Sequence, residues 1–391
     1  MQLKIIKYKY GIIIIFIFLI YKYIFTKKKK ISNFLAKYEE FQTKNFTLIN
    51  GRNFIIKCLT SQNMDIYEVN ENPMITNIIP SYNCEKTIIT SIHSIQYQNF
   101  SNIEIIIVDD FSMDNSKEII KTLQINDKRI KLIENKRNMG TLYSRSIGAL
   151  LSRGDYILCL DNDDLFFNED IFDFLIKQSK KENLDLVSFR AVEIEDYLDG
   201  IQNMKDYRFF GLKNNLSLSQ PELGIWTISL DGKFLIHDNE IWLKCIKSKI
   251  YKKAVHIFGI QRYSKYICWA EDTIINFIIF NIAESCKYVH KIGYIHLIRK
   301  LSATFQQTNN NKLYGELSFL DVMFDFTRNT SDKNFVVNYA INLKEIYKIE
   351  SYTNNTNCKY LKFILNKIIG CQFITKENKQ NIKNSFKSFF I

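Results

Sequence analysis

Ile75-Thr-Asn-Ile-Ile-Pro80 runs into Ser81-Tyr82-Asn83, Ile103-Glu-Ile-Ile-Ile-Val108 into Asp109-Asp110, and Tyr156-Ile-Leu-Cys-Leu160 into Asp161-Asn162-Asp163-Asp164: three apolar strands, each followed by a polar or acidic loop. The intervening stretches carry helical spacing. Ile88, Ile89, Ile92 and Ile95 line one face of a helix expected over residues 85–97. Asp114 is placed to cap the next helix, whose Ile119, Ile120 and Leu123 face inward. Residues 129–133 read as a short strand, Asn138-Met139-Gly140 as a turn, and residues 141–151 as a helix carrying Arg145. Strands alternating with helices at these lengths predict a parallel sheet with right-handed crossovers. The carboxyl-terminal loops of such strands gather on one edge, where open α/β sheets bind ligands. Acidic clusters sharing that edge repel unless a cation lies between them, and a hard divalent ion carrying a phosphate ligand answers the need.

Outward from this segment the pattern weakens. Residues 168–182 read as another amphipathic helix, and residues 200–236, with Gly211, Pro221, Gly224 and Gly232, show no period. Helical patterning returns around residues 240–253 and 271–282, and the chain past about residue 304 reads as mostly helical. Upstream, residues 27–72 read as a polar stem that Asn72-Pro73 closes. Residues 10–25 are apolar except for Lys22, enough helix to span about 24 Å, slightly short of a bilayer core. No small-residue cleavage site follows, so an uncleaved single-pass membrane anchor is expected over residues 1–26. Its orientation stays open. The lysines after the segment favour a cytoplasmic main domain, whereas five Asn-x-Ser/Thr sequons suit a lumenal one, in the ER or Golgi if the source is eukaryotic.

Of 391 residues 46 % are hydrophobic, ample for a core. The net charge of +12 draws partly on lysines flanking the apolar segment, a placement that favours anionic lipid over nucleic acid, and no nucleic-acid-binding motif occurs. Eight scattered cysteines without a C-x-x-C pair exclude a zinc module or a small disulfide scaffold, and Cys159 sits in the third strand as a buried hydrophobe.

The run Ile78-Ile79-Pro80-Ser81-Tyr82-Asn83-Cys84-Glu85, Val108-Asp109-Asp110-Phe111-Ser112, Asn138-Met139-Gly140, Arg145, Gly154-Asp155-Tyr156 and Leu160-Asp161-Asn162-Asp163-Asp164 resembles family 2 glycosyltransferases of the GT-A fold, closely over residues 74–175 and loosely to about 305. The resemblance implies an α/β fold, a Rossmann-like, mostly parallel sheet flanked by helices. With the membrane helix and a helical carboxyl-terminal extension, the domains become anchor 1–26, stem 27–72, catalytic domain 73–304 and extension 305–391. It implies a nucleotide-sugar donor, with UDP the family habit, and a glycan, protein or lipid acceptor. Pro80, Tyr82, Glu85, Asp110, Asn138, Arg145 and Asp161 are then donor-binding residues, and Arg145 could neutralise a phosphate. Asp161-Asn162-Asp163 is similar to the family's D-x-D motif. In an extended segment both carboxylates would point one way, with Asp163 holding Mn²⁺ or Mg²⁺ against the diphosphate.

Trp269-Ala270-Glu271-Asp272 resembles the family's E-D motif, whose Asp is the general base of inverting members; Glu271 could take that role, or both could simply open a helix. Arg299-Lys300-Leu301-Ser302 looks like the basic segment after the last core strand. Phe111, where a small residue is usual, and Ser146, where Asn is common, depart from the pattern. Two rival readings are a catalytically silent protein that binds nucleotide-sugar or glycan, and a D-x-D phosphatase. In the latter the motif would end the domain's first strand, which it does not do here.

Overall fold

The computed structural model describes residues 57–58, 67–68, 70–195, 240–259, 270–298, 309–327, 356–371 and 374–387, with short pieces between them. The expected anchor at 10–25, most of the stem and Arg299-Lys300-Leu301-Ser302 lie outside the described residues. Among the described residues no helix is long and apolar enough to cross a membrane. The chain divides into two compact units, Met1–Phe54 and Ile55–Ile391, and the described residues fall in the second.

Strands β1 (Ile75–Ser81), β2 (Ile103–Asp109), β3 (Ile130–Glu134) and β4 (Tyr156–Cys159) pair in parallel, in the order β3-β2-β1-β4. Every residue of β1, β2 and β4 is buried, which explains their near-continuous apolar reading: a parallel strand covered on both faces has no solvent side to mark. Helices α1 (Ile88–Gln96), α2 (Ser116–Asn126) and α3 (Thr141–Leu151) make the crossovers. Gly148 lets α3 lie close on β1, because a Cβ there would stand 2.6 Å from Ile78 Cγ2.

Beyond β4 the sheet continues through β11 (Lys244–Lys247), β6 (Leu186–Glu195), β12 (Ser285–Ile298) and β5 (Leu165–Phe166). Here directions are mixed: β11 runs antiparallel to both neighbours, β12 parallel to β6, and β5 antiparallel to β12. The short strands β7 (Phe209–Phe210) and β8 (Leu216–Ser219) join β6 and β12, and β9 (Thr227–Ile228) pairs with β10 (Phe234–Leu235) apart from the main sheet. Helix α4 (Ile171–Lys181) packs against β6.

The helix expected over 240–253 is corrected: a 3₁₀ turn at Ile241–Leu243 and strand β11 precede α5 (Ser248–Phe258). Four strand residues between two helical turns are too few to show a period of two. The helix expected from Glu85 starts at Ile88, because the Glu85 side chain instead accepts from the Asn115 backbone and amide nitrogens. Helix α6 (Glu271–Ile282) packs with α7 (Asn309–Thr327), where Phe277 meets Phe319 and Phe326 edge to face at 5.7 and 5.6 Å. Helices α8 (Thr356–Gly370) and α9 (Lys376–Ser385) complete this side.

Candidate active site

Strands β1 to β4 deliver their carboxyl-terminal loops to one edge, as parallel pairing requires. The first two loops are stitched together. Asn83 N donates to Ser112 Oγ, Met113 N to Asn83 Oδ1, and Glu85 N to Asp114 Oδ2. Asp114 also accepts from Ser116 N, which fastens the start of α2. The seam displays Tyr82 and Phe111, both nearly half exposed. Phe111 holds φ +69°, a left-handed backbone that a bulky residue adopts only under strain.

Asp161 to Asp164 form a turn, closed by Asp164 N donating to Asp161 O, so the side-by-side carboxylates expected of an extended segment are corrected. Asn162 Nδ2 donates to Pro80 O and ties this turn to β1. Asp164 is buried and ties it to β12, accepting from Leu297 N at 2.8 Å and Tyr294 Oη at 3.0 Å. The same Tyr294 hydroxyl accepts from Asp161 N. Burial pushes the Asp164 carboxyl up to about 8. Asp161 and Asp163 remain partly exposed.

Arg145, expected to face a phosphate, bridges two carboxylates: one guanidinium nitrogen donates to Asp161 and the other to Asp272. Its side chain is 4 % exposed, against 28 % for Asp161 and 21 % for Asp272. Burial works against its charge, yet Asp272 and Asp161 hold its pKa well above the ordinary value. Asp272 also accepts from Ile241 N at 3.2 Å. Burial raises the Asp272 pKa and Arg145 pulls it back. Burial, then the neighbouring Asp272, lift Glu271 to about 7. The two acids open α6 directly after Ala270, whose φ of +59° is left-handed. Strain of this kind clusters at functional sites.

The other expected donor residues differ in what they touch. Asp110 is buried with both oxygens engaged, one by Met139 N and Asn135 Nδ2, the other by Gly140 N, so it shapes the turn before α3. Asn138 lies in that turn, and its buried Oδ1 has no hydrogen-bond partner among the described residues, nor has Arg145 Nε. Pro80 is buried within β1 and contributes its carbonyl.

Several residues escaped the sequence reading. Trp242 stacks on Tyr294 at 4.4 Å and on His296 at 5.4 Å, forming a three-ring column behind the acidic turn. Burial alone would lower the His296 pKa, but Asp164 and Glu193 raise it to about 9. Lys244 is fully buried in β11. All come from strands or turns whose neighbours in space lie far away in sequence, so no local spacing announced them.

Among the described residues no group of three or more His, Cys, Asp or Glu could hold a metal unaided. Asp163 in its half-open turn fits a Mg²⁺- or Mn²⁺-type ion that takes its remaining ligands from phosphate and water.

The profile described as Glycosyl transferase family 2 matches residues 76–228. Glycosyltransferase GlyG of Streptococcus pneumoniae is 32 % identical over 114 residues, 29 % of this chain and 38 % of that protein. The uncharacterized glycosyltransferase EpsJ of Bacillus subtilis is 28 % identical over 230 residues, 57 % of this chain and 61 % of its own. The chain thus spans less than two thirds of these relatives. Among solved structures, S. aureus TarS residues 1–349 in complex with UDP-GlcNAc superposes with a TM-score of 0.53 at 14 % identity, covering 80 % of this chain and 91 % of that one, a likeness of fold that fits the GT-A arrangement. Over residues 76–228, the chain is similar to glycosyl transferase family 2.

Proposed function

We propose that this chain is a glycosyltransferase that moves a sugar from a nucleoside-diphosphate donor to an acceptor hydroxyl with inversion. The observation that carries the reading is Arg145, which joins the D-x-D loop to the E-D pair across one sheet edge. A turn of acids and a separate carboxylate on that edge support the reading, the first for the donor and the second for the acceptor.

Asp272 takes the acceptor hydroxyl's proton as the new bond to the anomeric carbon forms, and the bond to the diphosphate oxygen breaks from the opposite face. Arg145 orients Asp272, and Asp161 faces the ribose. Tyr82 offers a ring to the base. A divalent ion held by Asp163 would supply Lewis-acid stabilisation of the leaving diphosphate. UDP is the proposed nucleotide, by family habit and by the UDP-GlcNAc in the TarS structure. Attachment to a membrane through residues 10–25 belongs to the same proposal.

The test is a thermal-shift screen of the full chain against UDP-, GDP- and CMP-sugars, with and without Mn²⁺, beside Asp163→Ala. Stabilisation by one donor, dependent on Mn²⁺ and lost in Asp163→Ala, supports the reading. A folded protein that no donor stabilises overturns it.

A further inference from the structure

We infer that Lys244 is a positioning residue for the Asp272 carboxylate, gripping the peptide that Asp272 itself binds and supplying, with Arg145, the positive charge that balances Asp161, Glu271 and Asp272. The inference rests on the proposed role of Asp272.

Lysine is almost never fully buried unless its charge is matched, yet Lys244 is 0 % exposed in a central strand. Its Nζ donates to Glu240 O at 2.6 Å. The Ile241 N–H, from the same peptide unit, donates to Asp272 Oδ2 at 3.2 Å. One peptide group is therefore held at its carbonyl by a cation and at its amide by the catalytic carboxylate. Its dipole is aligned so that each contact strengthens the other. Lys244 Nζ also lies 5.5 Å from the centre of the Phe280 ring, two helical turns along α6 from Asp272, on the same face.

The charges agree. Asp272 faces Arg145 from α3, Asp161 from the turn after β4, Glu271 on its own helix and Lys244 from β11. Cys159 of β4 and Tyr251 of α5 also face it. Burial raises both their pKa values, so both stay neutral near pH 7. Three acids would otherwise share one guanidinium, and Lys244 draws the Asp272 pKa down.

Lys244→Gln keeps a donor for the Glu240 carbonyl and removes the charge; Lys244→Arg keeps the charge. Melting of the full chain is followed from pH 5 to pH 8 for both variants, wild type, Asp272→Asn and the Lys244→Gln/Asp272→Asn double. Burial raises the Asp272 pKa, so Lys244→Gln should lose more at pH 8 than at pH 5, by about 3 °C. The excess should vanish in the Asp272→Asn background and be rescued by Lys244→Arg. An equal loss at both pH values, or an excess that survives Asp272→Asn, overturns the inference and leaves Lys244 a packing residue. The kinetic readout is UDP release from UDP-glucose and UDP-N-acetylglucosamine with Mn²⁺, with water taking the sugar in place of the acceptor hydroxyl. Lys244→Gln should move the acid limb of kcat upward by about one pH unit, with donor KM changed less than about twofold. A wild type that releases no UDP counts against the transferase reading, while the melting series still decides Lys244.

Discussion

The site is built from two regions of opposite character. The proposed donor side comes from β1 to β4, a run of consecutive parallel strands within residues 75–164. The other side comes from the 241–243 turn, β11, α6 and β12, where strand directions are mixed and neighbours in the sheet are distant in sequence. In the first region each loop is held mainly by the next loop along. In the second, partners reach back: Tyr294 and Leu297 hold Asp164, and Asp272 holds Arg145. Repetition makes a site visible in a sequence, whereas long-range closure makes it work and leaves no local trace.

The sharpest way to break this division of labour is Asp272→Asn. Transfer should fall by about 10²–10⁴-fold while donor-induced thermal stabilisation stays intact. Glu271→Gln should cost less than Asp272→Asn, and a larger loss there would move the base by one residue. Next is Ile246→Pro, in the centre of β11. Proline removes a ladder N–H from an interior strand, where it is not tolerated. Hydrogen exchange should then show protection lost from β11, β6 and β12 before β1 to β3. Uniform loss would mean the two regions are one cooperative block.

Arg145→Met strands two carboxylates. A fully buried pair would lose about 3–5 kcal/mol, and the partial exposure of Asp161 and Asp272 reduces this to about 2 kcal/mol by denaturant titration. The loss should shrink in an Asp272→Asn background. Tyr294→Phe removes the hydroxyl shared by Asp161 N and Asp164, at about 1–2 kcal/mol. It should also weaken donor binding, although Tyr294 belongs to the far region.

The smallest effect is a pH dependence. Glu271 has its pKa raised from 4.5 to about 7, so the folded state prefers the protonated acid. That contribution is complete below about pH 4.5 and is lost as pH rises through about 7. Glu271→Gln should flatten this part of the melting profile, and an unchanged profile would assign the titration elsewhere.

Sequence reading recovered what repeats locally. The bounds of β1, β2 and α3 fall within a residue of expectation, because a fully buried strand reads as an unbroken apolar run and an amphipathic helix prints a period. The acidic loop was legible from its composition, whereas Asp272 was singled out only by its resemblance to the E-D motif. The geometry of the loop was not, because closing Asp161 to Asp164 into a turn depends on β12. Strand β11 was read as helix because it is four residues long and abuts α5. The pairing of Arg145 with two acids was hidden because a lone Arg on a helix signals only charge, and its partners lie 16 and 127 positions away.

The position of β11 between β4 and β6 also bears on how the chain is made. As the protein emerges from the ribosome, β1 to β4 can assemble while one side of β4 still presents open backbone donors and acceptors. At about 5–20 residues per second, the strand that covers that edge arrives several seconds later. During that interval the nascent chain carries an apolar, pairing-competent ribbon of the kind that recruits other strands. Chaperone occupancy on stalled nascent chains should therefore peak after β4 has cleared the exit tunnel and fall once Lys247 has followed it.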